Sequence, residues 1–235
     1  MSTLAISNFT LFSIDGNIGS GKSTLYASLQ QLYKDNIAVI FVPEPVSQWE
    51  KIKDASGKTM LHLFYADQEK YAFAFQMMAY ISRLSILRRI IAENKVKCRN
   101  IVIITERTLY TDKYIFAKML FDQGKIEDVE YQIYLTWFDE FSMDFPLDNV
   151  VYVKTSPEKC YERIHKRARE GEEIIPLAYL EDCHMYHEEF LDKDTGIKVN
   201  QLIIDGNMDL KEGETATMDG WLQQIDAFIG LSDLI

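Results

Sequence analysis

Residues 16–23 read Gly-Asn-Ile-Gly-Ser-Gly-Lys-Ser, and Thr24 follows. Gly16, four residues (Asn17, Ile18, Gly19, Ser20) and then Gly21-Lys22-Ser23 is the spacing of a phosphate-binding loop. Glycines let backbone N–H groups curl around phosphate oxygens, and the helix opening at the loop's end adds its positive terminus. Lys22 supplies a point charge for the β- and γ-phosphates, and Ser23 offers a hydroxyl to Mg²⁺. The loop follows a strand-like LFSID stretch and opens a helical STLYASLQQLY pattern, the context such a loop requires. A nucleoside triphosphate with Mg²⁺ is the expected ligand. Two further segments point to transfer onto a small molecule. Glu44 lies between Pro43 and Pro45, placed to act as a base toward an acceptor hydroxyl. Arg163, Arg167 and Arg169 form a cationic run that could close over a triphosphate as a lid.

The elements that must hold these residues follow from the pattern. Short β-branched and aromatic segments predict strands at Phe9–Asp15, Ile37–Val42, Asn100–Thr105, Asn149–Lys154 and Gln201–Asp205. Between them, helical periodicity predicts Lys22–Tyr33, Asp67–Asn94, Thr111–Asp122, Asp128–Phe145, Pro157–Arg169 and Pro176–Asp192, with a last helix near Trp221–Ile229. Pro157 and Pro176 are expected in first helical turns. The helix at 67–94 is apolar all round and is expected to be buried on several faces. Strands alternating with helices mean a parallel sheet covered on both faces. No linker divides the 235 residues, so one domain over 1–235 is expected, with the lid at about 163–175.

Composition removes other classes. Asp and Glu total 36 against 25 Lys and Arg, a net charge of −11, which argues against a protein that binds nucleic acid by neutralising phosphates. Cys98, Cys160 and Cys183 are too few and too far apart for a disulfide framework, so a reducing compartment is the natural setting. No run of 18 apolar residues predicts a membrane span, and the expected location is the cytoplasm. Cys183, His184 and His187 sit at helical spacing, but without a partner cluster they are expected on a helix surface rather than around a metal. A switch GTPase is disfavoured, because Asn94-Lys95-Val96-Lys97 ends on the wrong residue for guanine reading.

With GNIGSGKST, PEPVSQW, FAFQMMAYISR, ERTLYTDKYIFAK and RIHKRAREGEEIIPLAYLEDCH in this order, the chain resembles the deoxyribonucleoside kinase family from about Phe12 to Leu191. The lid and the ERT segment look nearest its deoxyguanosine kinase members. The resemblance implies a P-loop kinase fold of class α/β, a five-stranded parallel sheet flanked by helices with a short arginine-rich lid. It implies transfer of the γ-phosphoryl of ATP to a deoxynucleoside 5′-hydroxyl. Glu44 would be the base, and Arg107 would hold the same oxygen and stabilise the transferring group alongside Lys22. Glu106 and Ser23 would sit near Mg²⁺. Trp49, Phe75 and Phe116 would flank the base and Gln76 would read its edge. Tyr65 and Glu172 would bind the 3′-hydroxyl, and Arg163, Arg167 and Arg169 would clamp phosphates. Arg83 lies two helical turns beyond Gln76, and Asp112 follows the ERT motif. With the small Ala79 they imply deoxyadenosine, deoxyguanosine or deoxycytidine, with thymidine poor. A homodimer and feedback inhibition by an end-product deoxynucleoside triphosphate are also implied, and neither nucleic acid nor membrane is an expected partner.

The sequence departs from the family's pattern in three places. It has Thr108 where relatives usually have Ser, Lys113 where they usually have Arg, and Gly171 where the lid is often acidic. The last leaves either Glu172 or Glu173 to meet the sugar, and spacing from Arg169 favours Glu172. Two other readings share the loop. A thymidylate-type monophosphate kinase would need a cation where Glu44 sits, and a non-catalytic nucleotide sensor would have no use for Glu44, Arg107 and the lid arginines together.

Overall fold

The computed structural model describes residues 9–95, 101–169, 171, 172, 174–192, 199–208 and 216–230. Cys98, Asn100 and Glu173 lie outside them. β1 (Phe9–Asp15) leads into the phosphate loop and α1 (Lys22–Leu32). β2 (Val39–Val42) is followed by α2 (Val46–Trp49), α3 (Met60–Ala66) and the long α4 (Gln68–Lys95). β3 (Ile101–Glu106) runs into α5 (Leu109–Thr111), a π-helical turn (Asp112–Ala117) and α6 (Lys118–Asp122). Then come α7 (Asp128–Ser142), β4 (Asn149–Lys154), α8 (Pro157–Arg167), α9 (Leu177–Leu191), β5 (Asn200–Asp205) and α10 (Ala216–Ile229).

The five strands form one parallel sheet in the order β2-β3-β1-β4-β5. Parallel strands buried on both faces need apolar residues on both, and β3 is buried along its whole length. Alternation divides its side chains: Ile101 and Ile103 join the core under α3, α4 and α7–α9, while Val102 and Ile104 join the core under α1 and α10.

Where the elements differ from the sequence pattern, local hydrogen bonds give the reason. The second strand begins at Val39 rather than Ile37, because Asn36 accepts from the N–H of both Ala38 and Val39 and holds a turn there. α4 begins at Gln68 because Asp67 caps it, its carboxylate accepting from Lys70 N. The helix expected at Thr111–Asp122 starts earlier, at Leu109, where Thr108 and Thr111 form a reciprocal cap, and its middle is π-helical. α8 stops at Arg167 because Ala168 turns left-handed at φ 51°. Pro176 is the N-cap of α9, not a residue of its first turn. α2 and α3 were not expected; Thr59 caps α3 by accepting from His62 N. α4 buries Ala72, Phe75, Ala79, Tyr80, Leu84 and Leu87 but leaves Ile81 half exposed, so it is not enclosed on all sides.

Tyr134 is a misfit in this core. It is completely buried against Tyr80, yet its hydroxyl has no hydrogen-bond partner among the described residues. Tyr134→Phe removes an unsatisfied polar group without changing the packing. A gain of about 1 kcal/mol is expected, read as a melting midpoint about 2–4 °C higher; a lower midpoint would show that the hydroxyl is satisfied.

Candidate active site

The phosphate loop takes its shape from glycine and from side chains behind it. Gly19 has φ +79°, and a Cβ there would stand 2.6 Å from the Cys160 carbonyl oxygen, so only glycine fits against α8. Asn17 Oδ1 accepts from Ile18 N at 2.8 Å, while its Nδ2 donates to the Leu180 carbonyl at 2.8 Å, tying the loop to α9. Thr155 Oγ1 donates to the Ser20 carbonyl at 3.0 Å. Lys22 folds back across the loop and donates to the Asn17 carbonyl at 3.0 Å. Burial, and Arg107 nearby, push its ammonium down to about 8. Ser23 Oγ donates to Glu106 Oε1 at 2.7 Å.

Beyond Lys22 the loop opens into a cleft. Glu44, Glu106 and Arg107 stand at its inner end. Arg107 Nη1 donates to Glu44 Oε1 at 2.5 Å and Nη2 to the Gly16 carbonyl at 3.4 Å. Its guanidinium lies over the Phe116 ring, 5.0 Å from the centroid. Burial pulls the Glu44 carboxyl upward in pKa, but Arg107, Lys22 and Arg83 together hold it well below the usual carboxylate range. Burial likewise disfavours the Arg107 charge, and Glu44 and Glu106 more than restore it. Arg107 also has φ 62°, a left-handed backbone for a non-glycine residue. Such a conformation costs about 1–3 kcal/mol and persists only where the surroundings impose it.

Farther along the cleft are Trp49, Phe75, Phe116, Gln76, Ala79, Asp112 and Tyr65. Trp49 meets Phe75 edge-on at 5.6 Å and is fixed by an indole N–H donated to Ser82 Oγ at 2.9 Å. The π-helical turn supplies both Asp112 and Phe116, at its first and fifth positions. Widened turns of this kind recur at functional sites. Arg167, Arg169 and Glu172 close one side, with Arg167 bonded to Glu172 and Arg169 Nη1 donating to it at 3.0 Å. Among the described residues, Glu172 is the lid carboxylate that lines the cleft.

Several expected residues do not line it. Gly16, Asn17, Ser20, Gly21 and Thr24 shape or flank the loop instead. Arg163 points elsewhere, donating to the carbonyls of Ser20, Gly206 and Met208 at 3.2, 2.8 and 3.0 Å. Arg83 is buried behind the wall: its Nε donates to Asp112 Oδ2 at 3.0 Å and its Nη1 to the Glu106 carbonyl at 2.8 Å. It therefore meets the cleft from behind, through Asp112, the backbone of Glu106 and Arg107, and Glu44 at 3.8 Å. Burial raises the Asp112 carboxyl and Arg83 lowers it, with a net upward shift. The expected surface position of Cys183 and His187 is overturned. Both are completely buried, and His187 Nδ1 lies 2.6 Å from the Cys183 carbonyl. Among the described residues no group of three His, Cys, Asp or Glu could hold a metal ion.

Residues 12–229 match the family model described as deoxynucleoside kinase. The chain belongs to the deoxynucleoside kinase family. It is 34% identical to deoxycytidine kinase 2 of Gallus gallus over 85% of this chain and 83% of that one. It is 34% identical to the mitochondrial deoxyguanosine kinase of Xenopus laevis over 78% and 73%. It is 38% identical to a probable deoxycytidine kinase of fowlpox virus over 84% and 79%. As a family member it is an ATP-dependent phosphotransferase of nucleotide salvage. No helix among the described residues is long and apolar enough to cross a membrane.

Four cleft residues of this deoxynucleoside kinase were not anticipated: Val46, Leu61, Phe64 and Tyr179. Phe64 stacks on Phe75 at 4.5 Å with an 11° interplanar angle, and so backs that ring. Three of the four sit on α2 and α3. Helices of four and seven residues are too short to show a repeat, so the sequence carries no periodic signal for these three.

The depressed Lys22 sets a pH dependence. A triphosphate held at Lys22 would need its ammonium form, which predominates below about pH 8 and is lost above it. ATP affinity measured calorimetrically should be flat from pH 6.5 to 7.5 and then weaken, by at most ~10-fold per unit. A profile still flat at pH 9.5 would show that Lys22 is not depressed.

Proposed function

We propose that this enzyme transfers the γ-phosphoryl of ATP to the 5′-hydroxyl of deoxyadenosine, deoxyguanosine or deoxycytidine, with thymidine a poor acceptor. The observation that carries the reading is the Glu44–Arg107 pair at 2.5 Å, set between Lys22 and an aromatic cleft. An acceptor hydroxyl placed at that pair donates its proton toward Glu44 and offers its oxygen to the γ-phosphorus. Glu44 is a weak base, since three cations hold its charge. That suits phosphoryl transfer, where the transition state is loose and the hydroxyl becomes strongly acidic only as its bond to phosphorus forms. Glu44 orients first and takes the proton late. Arg107 and Lys22 stabilise charge on the transferring oxygens, and Arg167 and Arg169 join them from the lid.

Ser23 and Glu106 are hard oxygen donors 2.7 Å apart, and Mg²⁺ is commonly held by one or two such groups together with phosphate oxygens. Mg²⁺ bound there would neutralise charge between the β- and γ-phosphates. Trp49, Phe75 and Phe116 contact the base, Gln76 reads its edge with an amide that both donates and accepts, and Tyr65 and Glu172 meet the 3′-hydroxyl. Asp112, held by Arg83, adds a polar edge that suits amino-bearing bases and crowds a 5-methyl group. The same cleft runs from Lys22 to Gln76. A deoxynucleoside triphosphate could therefore place its base in the aromatic end and its phosphates in the loop, and so act as a feedback inhibitor. An anion at Glu44 disfavours a monophosphate acceptor. We read residues 1–235 as one domain with its lid at 163–175, and a reducing cytoplasm suits the buried thiols of Cys160 and Cys183.

A homodimer is also proposed. Val129, Ile133 and Trp137 repeat at four-residue spacing along α7 and are 65%, 42% and 47% exposed, and Ile81 of α4 is also half exposed. Arg88 of α4 lies over Phe141 of α7, so the two helices present one surface. Light scattering at micromolar concentration should give twice the chain mass, and Ile133→Glu with Trp137→Glu should give a monomer. A monomeric parent protein would overturn the dimer.

The acceptor assignment is tested with Mg²⁺-ATP, the four deoxynucleosides and their monophosphates, reading ADP release and product identity. Turnover of the adenine, guanine or cytosine deoxynucleosides is expected, with thymidine at least ~10-fold lower in kcat/KM, the size of discrimination that one polar contact can supply. Glu44→Gln should lose ~10²-fold or more in kcat while still binding nucleoside. Efficient thymidine turnover would sink the base preference, and activity confined to monophosphates would sink the role of Glu44.

A further inference from the structure

One carboxylate close to the site has no part in the transfer as described. Asp15 ends β1, one residue before the phosphate loop, and is completely buried. Both of its oxygens are engaged. Ser13 Oγ donates to Oδ2 at 2.5 Å and Thr111 Oγ1 donates to Oδ1 at 2.8 Å. Burial pushes its carboxyl up in pKa, and these two hydroxyls with Arg107 and Lys22 oppose that. A carboxylate only accepts, and that orders the next bonds. The single Thr111 hydroxyl proton goes to Asp15, which leaves the Thr111 oxygen to accept from Thr108. Thr108 N lies 3.0 Å and Thr108 Oγ1 3.2 Å from it. In return, Thr111 N donates to Thr108 Oγ1 at 3.4 Å.

Thr108 is the residue after Arg107, whose left-handed backbone needs a surrounding structure to impose it. Three consecutive residues at the end of β1 grip that arginine. The Ile14 carbonyl accepts from Arg107 N at 3.2 Å, Asp15 fixes Thr108 through Thr111, and the Gly16 carbonyl accepts from Arg107 Nη2 at 3.4 Å. The strand that launches the phosphate loop thus also sets where the guanidinium sits.

We propose that Asp15, acting through Thr111 and Thr108, is the positioning residue that holds Arg107 in its strained backbone and its guanidinium on Glu44. This rests on the reading of Arg107 as a group that stabilises the transferring phosphoryl. Neither Asp15 nor Thr111 lines the cleft, so their effect is on where a charge is held, not on what binds.

The test uses Thr111→Val, which removes the hydroxyl and keeps the shape, Thr111→Ser, which keeps the hydroxyl, and Arg107→Lys alongside. kcat, both KM values and nucleoside affinity (by quenching of tryptophan fluorescence) are measured on each. For Thr111→Val, kcat should fall ~10–100-fold, because a displacement of about 1 Å in a catalytic group costs that much, with nucleoside affinity and both KM values within ~3-fold of the parent. Thr111→Ser should restore kcat to within ~3-fold, since a hydroxyl at that site is all the network requires. Asp15→Asn is read by the kcat and affinity criteria set for Thr111→Val if that variant does not fold. Parental kcat in Thr111→Val with Arg107→Lys crippled overturns the positioning role alone. So does a loss that nucleoside binding shares, or one that Thr111→Ser does not repair, since packing would explain either. Parental turnover in Arg107→Lys overturns the reading of Arg107 and this proposal with it.

Discussion

Taking a guanidinium and a carboxylate out of water costs several kcal/mol per ion, and Arg107 and Glu44 offset that cost by touching at 2.5 Å. The rest of the site is arranged around this contact. Lys22, Arg83 and Arg107 are buried cations within a few residues' reach of four carboxylates, Glu44, Glu106, Asp112 and Asp15. None could be buried alone. Arg83 illustrates the balance: it spends its donors on Asp112 and on the carbonyls of Glu106 and Arg107, and so braces the chain just where β3 ends. Its role in the wall is electrostatic support for the groups that face the cleft.

The sheet brings these charges to one place. In the pairing register Ile14 of β1 lies beside Glu106 of β3, and Thr105 beside Val42 of β2. Three adjacent strands therefore end level. Gly16 lies one residue past β1, Glu44 two past β2 and Arg107 one past β3. The chain leaves β1 for β2 and β3 on one side, then returns to β4 and β5 on the other. Ligands of open α/β sheets bind at the carboxyl ends of the strands where the order reverses in this way. The phosphate loop and the proposed acceptor groups stand together because their strands do.

What could be read from the residues was whatever local chemistry dictates. The glycines at 19 and 21 with Lys22 and Ser23, the strand order of apolar segments, and the site residues of the PEP and ERT segments all carry their spacing in plain view. What could not be read depends on tertiary contact. The π-helical turn at Asp112–Ala117 has no composition of its own; it forms where Asp112 must reach Arg83 while Phe116 turns into the cleft. α2 and α3 are too short to show periodicity, so Phe64, stacked behind Phe75, went unnoticed. Cys183 and His187 looked like a polar helix face. The fold buries them because α9 packs between α8 and the π-helical turn, and His187 satisfies its Nδ1 on its own helix. Arg163 shares a helix with Arg167, but four residues of α8 separate a group over the cleft from one bound to the loop after β5.

Glu172 joins the two halves of the proposed reaction. Arg167 and Arg169 both bond to it, and it is almost fully buried while each arginine stays partly exposed. An Arg whose charge is already matched by a carboxylate offers less to a phosphate than a free one does. On the proposed role of Glu172, a sugar hydroxyl donating to it would compete with the guanidinium groups for the same oxygens. The chain order makes this local: Arg167, Arg169 and Glu172 lie within six residues, with the left-handed Ala168 and Gly171 between them. Acceptor binding and donor clamping then share one carboxylate. On the proposed roles, a sugar hydroxyl at Glu172 and phosphates at the two arginines would belong to one charge network, so acceptor and donor binding are expected to be coupled.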